Sequence, residues 1–115
     1  MNNKEKLLIN DSASIKDALI VIKNNQSRHA LVTSNGSKVI GIISEGDIIN
    51  ALLKGSDLSS RLSQISNSSF IFLLKEDIDN RDKILSILNQ GILIIPILDK
   101  EMNFVDIINY MEYLK

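Results

Sequence analysis

The chain has 115 residues, 44% hydrophobic but only 4% aromatic, with 13 basic and 14 acidic side chains and a net charge of −1. This is one ordinary domain's length with an aliphatic core rich in Ile and Leu, which excludes intrinsic disorder. A near-neutral balance with no long basic run argues against nucleic-acid binding driven by phosphate neutralisation.

The apolar pattern repeats. Superposing Ser34 on Asp99, an offset of 99 − 34 = 65, sets residues 7–49 on 72–114 without a gap. Leu7, Leu8 and Ile9 fall on Phe72, Leu73 and Leu74, and Ala30 and Val32 fall on Ile95 and Ile97. In the first copy a short strand, Leu7–Ile9, precedes a helix capped by Ser14, with Asp17 three residues on. Ile15, Ala18, Leu19 and Ile22 give that helix an i, i+3, i+4, i+7 stripe. Strands His29–Ser34 and Lys38–Ile43 flank Asn35-Gly36, a hairpin signal. A second helix runs from Glu45 to Lys54, where Gly55 ends it.

The connector Ser56–Ser69 is rich in Ser, yet Leu58, Leu62 and Ile65 recur at i, i+4, i+7 and predict a short amphipathic helix bridging the halves. The second copy opens with a strand at Phe70–Leu74. Asp79 starts a helix that carries Ile84, Leu85, Ile87 and Leu88 and stops at Gly91. Strands Ile92–Leu98 and Phe104–Ile108 follow, joined by Asp99–Asn103. Ile92–Leu98 is the longest apolar run and contains Pro96, far short of the ~20 residues of a membrane-spanning helix. The last helix, from about Asn109, ends at Lys115, short of the first copy's by the counterpart of Ala51–Lys54, which reads either as a chain cut from something longer or as a natural short ending.

The expected fold is therefore α/β (α+β), two β-α-β-β-α repeats, at residues 7–55 and 70–115 with 56–69 between them. Neither repeat can bury a full core alone, so they are expected to pack sheet against sheet about a pseudo-twofold axis. That packing leaves two clefts where strand ends meet helix N-termini, the usual place for small molecules in α/β proteins.

Gly41-Ile42-Ile43-Ser44-Glu45-Gly46-Asp47 carries the most chemistry. Ser44 falls at the N-cap, where its hydroxyl and the first backbone N–H groups can seat an anion. Asp47, one turn in, can accept two hydrogen bonds from a vicinal diol. The same residues also read as a plain helix cap worth about 0.5–2 kcal/mol. Arg28 reads as a phosphate contact or a solvated charge, and His29 as a ligand contact or a structural hydrogen-bonder. One His and no Cys leave only hard-oxygen ligands for a metal, and no carboxylate spacing resembles a calcium loop, so neither a metal site nor thiol chemistry is expected. No nucleophile–base–acid set can be assembled, so the chain is not expected to be an enzyme. Without Cys or an N-terminal apolar segment it fits the cytoplasm.

The doubled unit with its G-h-h-[S/T]-x-x-D turn resembles a tandem pair of CBS domains, a Bateman module spanning residues 1–115. Ser44–Gly55 resembles the pairs fused ahead of sugar-phosphate nucleotidyltransferase domains, which often read T-D-G-D-I-R-R-A-L-L-K-G, and Ile95-Pro96-Ile97-Leu98-Asp99 is similar to the family's h-P-h-h-D. The resemblance implies binding of an adenine nucleotide (AMP, ADP or ATP) between the repeats, with no required cofactor, and control of an attached or partner enzyme. It gives Asp47 the ribose and Ser44 the phosphate. The backbone of Ser27-Arg28-His29-Ala30 edges the base, and Asn10 lines the same cleft. It also implies a homodimer, and a ligand-free dimerisation module is the alternative reading. The sequence departs from the pattern at Ile49 and Asn50, where relatives carry paired arginines that would fork phosphate. The second copy departs too, with Asn109-Tyr110-Met111-Glu112 for S-x-x-D and Asp106 for Gly41. One good site, in the first half, is expected.

Overall fold

A computed structural model describes residues 4–25, 27–35, 37–66 and 68–113. A 3-10 turn, Lys4–Leu7, leads into β1 (Leu8–Asn10). Ser14 then starts α1 (Ile15–Asn25) as its composition predicts. Its hydroxyl accepts from the Asp17 N–H at 3.2 Å, and the Asp17 carboxylate accepts from the Ser14 N–H at 3.1 Å. Ile15, Ala18 and Ile22 form the buried stripe. β2 (His29–Ser34) and β3 (Lys38–Ser44) follow; Asn35 between them takes φ +54°, and Gly36, the other half of the hairpin signal, lies outside the described residues. α2 (Glu45–Leu53) ends at Lys54, after which Gly55 takes φ +112°, a conformation that favours glycine.

β1 runs parallel to β2 and β2 antiparallel to β3. Ile9, Ala30, Val32 and Ile43 face the helices and pack with Ile15, Ala18, Ile22, Ile48 and Ala51. Full burial of an aliphatic side chain of this size contributes about 1.5–3 kcal/mol.

The connector does not form the expected amphipathic helix. Among the described residues its helical element is a single 3-10 turn, Leu62–Gln64, preceded by a turn closed by the Ser60 N–H on the Asp57 carbonyl at 3.0 Å. The reason lies in its backbone partners: the Ser60 and Leu58 carbonyls accept from the Ile15 and Lys16 N–H groups, both at 2.9 Å. Leu62 and Ser63 donate in turn to the Ala13 and Asp11 carbonyls at 2.9 and 3.1 Å. A segment spending its polar backbone groups on the start of α1 cannot also close its own helix. Leu62, fully buried, joins the first core. The chain accordingly divides into two compact units between Phe70 and Ile71, with the connector in the first.

The second unit repeats the topology. β4 (Leu73–Leu74), α3 (Arg81–Leu88), β5 (Ile94–Leu98), β6 (Phe104–Asn109) and α4 (Tyr110–Tyr113) form the sheet β4-β5-β6, again parallel then antiparallel. The hairpins match even in their irregularity: register shifts at Val32/Thr33 and at Ile97/Leu98, 97 − 32 = 65 residues apart. The gap-free alignment fails ahead of them. Ile9 and Leu73 pair with the equivalent residues Val32 and Ile97, so the first strands are offset by 73 − 9 = 64. The helix caps Ser14 and Asn80 are offset by 80 − 14 = 66, with Asn80 accepting from the Lys83 N–H at 3.1 Å. The second copy lengthens this turn by two residues, taken up by a 3-10 turn at Lys75–Asp77. The helix therefore starts after Asn80 rather than at Asp79, and Ile84 and Leu88 take the places of Ala18 and Ile22.

The first strand of the second copy shrinks from the expected Phe70–Leu74 to two residues. It lacks the pair equivalent to Leu8↔Leu31, at the position where Pro96 brings no N–H. The part of the last helix expected beyond Tyr113 lies outside the described residues. Among the described residues no helix is long and apolar enough to cross a membrane.

Candidate functional site

The hairpin register assembles most of the site. His29 pairs with Ser44 and Ala30 with Ile43, so the start of β2 lies beside the end of β3. The Glu45 N–H donates to the Arg28 carbonyl at 3.0 Å, tying the first residue of α2 to the turn before β2. The second copy repeats this bond 65 residues on, from Tyr110 N–H to the Leu93 carbonyl at 2.8 Å. Arg28, His29, Ala30, Ser44 and Asp47 thus belong to one end of the first sheet.

Each side chain there has a definite role. Ser44 and Asp47 close a capping box: the hydroxyl accepts from the Asp47 N–H at 3.1 Å, and Asp47 Oδ2 accepts from the Ser44 N–H at 2.9 Å. Asp47 Oδ1 has no partner among the described residues and is open to a donor. The expected row of free helix N–H groups is smaller than the sequence suggested. The Glu45 N–H goes to Arg28 and the Asp47 N–H to Ser44, which leaves Gly46. Anion binding by the helix end alone is correspondingly weakened.

His29 is half-buried, and its Nδ1 lies 2.9 Å from the Ser27 carbonyl. A carbonyl only accepts, so Nδ1 carries the proton and Nε2 is the nitrogen left for a ligand. Asn25 fixes this corner, its Oδ1 accepting from the Ser27 N–H at 2.8 Å and its Nδ2 donating to the His29 carbonyl at 3.2 Å. Arg28 is exposed at φ +65°, the left-handed region that a side chain enters at a cost. Ala30 is fully buried in the core, so it can meet a ligand only through its backbone.

Asn10 does not join them. It pairs with Thr33, four residues along β2 from His29 and so about 13 Å away. Because β1 runs parallel to β2, its last residue lies at the sheet end opposite Ser44. There Asn10 Oδ1 accepts from the Ser12 N–H and hydroxyl, both at 3.0 Å, and shapes the turn into α1.

Asp47 opens onto a groove of about 330 Å³ between α2 and the connector, lined by Asp47, Asn50, Ala51, Lys54, Ser56 and Ile65. Of its other polar residues, Lys54 and Ser56 went unread as site residues in the sequence, and Asn50 was read only as a departure from the family pattern. The signal was present: Asp47, Asn50 and Lys54 stand at i, i+3 and i+7, a polar stripe on one face of α2. A larger cavity of about 510 Å³ lies among Ser12, Ser14, Lys16, Asp17, Leu58, Ser59 and Arg61. Its helix N–H groups are already bonded to Ser60, Leu58 and Ser14, so it offers a ligand few backbone donors.

The second copy lacks this arrangement. Asn109 Oδ1 accepts from the Met111 N–H at 2.9 Å, and Glu112 is exposed without a capping-box bond among the described residues. No group of three or more His, Asp or Glu side chains among the described residues could hold a metal ion.

Comparison with known proteins agrees with the repeat. The CBS domain family matches residues 3–54. Among solved structures, the chain superposes on AcuB of Vibrio cholerae with a TM-score of 0.82 at 17% identity, covering 93% of this chain and 78% of that one. The fold is that of a CBS-domain pair. A CBS domain protein of Pyrobaculum aerophilum in complex with AMP gives a TM-score of 0.77 at 20% identity, covering 97% of this chain and 89% of the other. The cytosolic domain of the Mg2+ channel MgtE in complex with ATP gives 0.77 at 16% identity, over 96% of this chain and 44% of that one. Two uncharacterised proteins of Helicobacter pylori, from strains J99 and 26695, are 36% and 38% identical over 59 and 55 residues, 51% and 48% of this chain. This chain spans only 18% and 17% of their lengths.

Proposed function

We propose that the chain is a tandem CBS module that senses an adenine nucleotide and modulates an attached or partner enzyme, with a sugar-phosphate nucleotidyltransferase as the enzyme class to test first. The observation that carries this reading is the unpartnered Oδ1 of Asp47 at the mouth of a groove, on a helix tied directly to the Arg28–Ala30 turn. Asp47 takes the ribose diol, the backbone at His29 and Ala30 edges the base, and Ser44 and Arg28 frame the same end of the sheet. The AMP and ATP named for two proteins of the same fold support the ligand class. Calorimetry of the full chain with AMP, ADP and ATP tests it: binding is expected for the unsubstituted protein and loss of binding for Asp47→Ala, with circular dichroism unchanged. No binding of any of the three at millimolar concentration overturns it.

A second reading, a dimerisation module, has its own observation. α2 leaves Leu53 81% and Ile49 56% exposed, and α1 leaves Ile20 exposed. Sedimentation of the protein and of Leu53→Lys, with and without nucleotide, separates the two. A dimer that Leu53→Lys breaks, with no response to nucleotide, favours the scaffold.

A further inference from the structure

The groove beside Asp47 has opposite charges at its two ends. Asp47 stands at one end, Lys54 at the other, and Asn50 lies between them on the same face of α2. Seven residues of helix separate the carboxylate from the lysine, about 10 Å of axial rise. Lys54 has no ion-pair partner among the described residues and is exposed, so its ammonium is available to a ligand. The floor is apolar, from Ala51 and Ile65, and Ser56 supplies a hydroxyl beside Lys54.

These groups in this order fit a molecule with hydrogen-bond donors at one end and an extended anion at the other. Resting on the reading that Asp47 holds the ribose, we infer that Lys54 selects for nucleoside di- and triphosphates over monophosphates. A 5′-monophosphate ends close to the ribose and leaves most of the 10 Å span uncovered. Each further phosphoryl group extends the chain along the groove, past the Asn50 amide, toward the ammonium. Only the longer anions bring charge to Lys54, so only they gain from it.

The test is calorimetry of AMP, ADP and ATP binding to the full chain, to Lys54→Gln and to Asp47→Asn. Lys54→Gln is expected to leave AMP affinity unchanged and to weaken ATP about tenfold, the worth of one charge-assisted hydrogen bond. Lys54→Arg restores ATP binding and Lys54→Glu weakens it further. Equal losses for AMP and ATP in Lys54→Gln, or no loss for either, overturn the inference while leaving the diol site standing. Unchanged affinity of all three nucleotides for Asp47→Asn overturns the underlying reading instead.

Discussion

Ser44 and Asp47 hold each other's backbones: the serine hydroxyl takes the aspartate N–H at 3.1 Å, and the aspartate carboxylate takes the serine N–H at 2.9 Å. The pair serves the helix with only one carboxylate oxygen, so capping and ligand binding coexist in the same two residues. Substitution can separate them. Asn at position 47 keeps an oxygen for the Ser44 N–H but replaces the other acceptor by a donor. Asp47→Asn is therefore expected to stay within about 0.5 kcal/mol of the parent in urea melts while losing nucleotide binding in calorimetry. Ser44→Ala removes the cap and is expected to cost about 1 kcal/mol. Equal effects of the two substitutions on stability, with nucleotide affinity intact in both, would reduce the pair to a cap.

Arg28 occupies a left-handed conformation, φ +65°, and its carbonyl is committed to the Glu45 N–H. A side chain there costs about 1 kcal/mol relative to glycine, while glycine loses a comparable amount through its freer unfolded chain. Arg28→Gly is thus expected to be nearly neutral in a thermal melt, and Arg28→Val to be destabilising by more than 1 kcal/mol, because a β-branched residue is disfavoured at positive φ. Both substitutions remove the guanidinium at the end of the sheet that takes the nucleotide, and both are expected to weaken nucleotide binding alike in calorimetry. A charge-preserving Arg28→Lys then recovers part of the affinity, though without the planar fork.

The hairpins were legible because two local signals agree there: apolar runs of strand length and, between them, a turn segment, Asn35-Gly36 in the first copy and Asp99–Asn103 in the second. The end of the sheet holding Ser44, His29 and Arg28 followed from that hairpin. Asn10 was misplaced for a non-local reason. A residue just after a strand lies near a helix N-terminus in sequence, but the parallel pairing of β1 with β2 decides which end of the sheet it reaches. The connector was misread because Leu58, Leu62 and Ile65 recur at helical spacing, whereas the carbonyls of Leu58 and Ser60 are spent on α1. Asn50 and Lys54 lie on a legible polar stripe, yet the stripe means a solvated face until Ile65 and Ser56 supply the opposite wall.

Arg61 locks the connector to the first unit, its Nη1 donating to the Ser12 carbonyl at 2.7 Å beside the Ser14↔Arg61 bridge. Arg61→Ala removes a hydrogen bond from a charged donor at an exposed site, worth about 1 kcal/mol. The loss is expected to be local: faster amide exchange at Ile15, Lys16, Leu62 and Ser63, whose N–H groups form the connector's backbone bonds, with β2 and β3 unchanged. Uniform acceleration across the unit would mean that the connector is part of the global core, and no change would mean that the backbone bonds hold it without Arg61.

Two carboxylates tie turns together and set the acid response. Asp57 is held below its ordinary value, first by the Ser59 hydroxyl at 2.6 Å and then by the Ser59 N–H at 2.8 Å. Asp99 is held low chiefly by the Asn103 N–H at 2.8 Å, helped by the Asn103 amide at 3.2 Å, the Glu101 N–H at 2.9 Å and the charge of Lys75. A depressed folded value means that the unfolded chain binds the proton first. The stabilisation is therefore complete above the unfolded value near 3.8 and is lost as pH falls through the lower folded value. Asp57 is exposed and Asp99 half-buried, each holding only its own turn, so the expected effect is local loosening of the Asp57–Ser60 and Asp99–Asn103 turns. Two-dimensional NMR titrated downward from pH 5 should show the Ser59 and Asn103 amides shifting together with the Asp57 and Asp99 side-chain carboxyl carbons, at pH values below those of an unstructured peptide. Midpoints at or above the peptide value would show that these hydrogen bonds do not favour the ionised form.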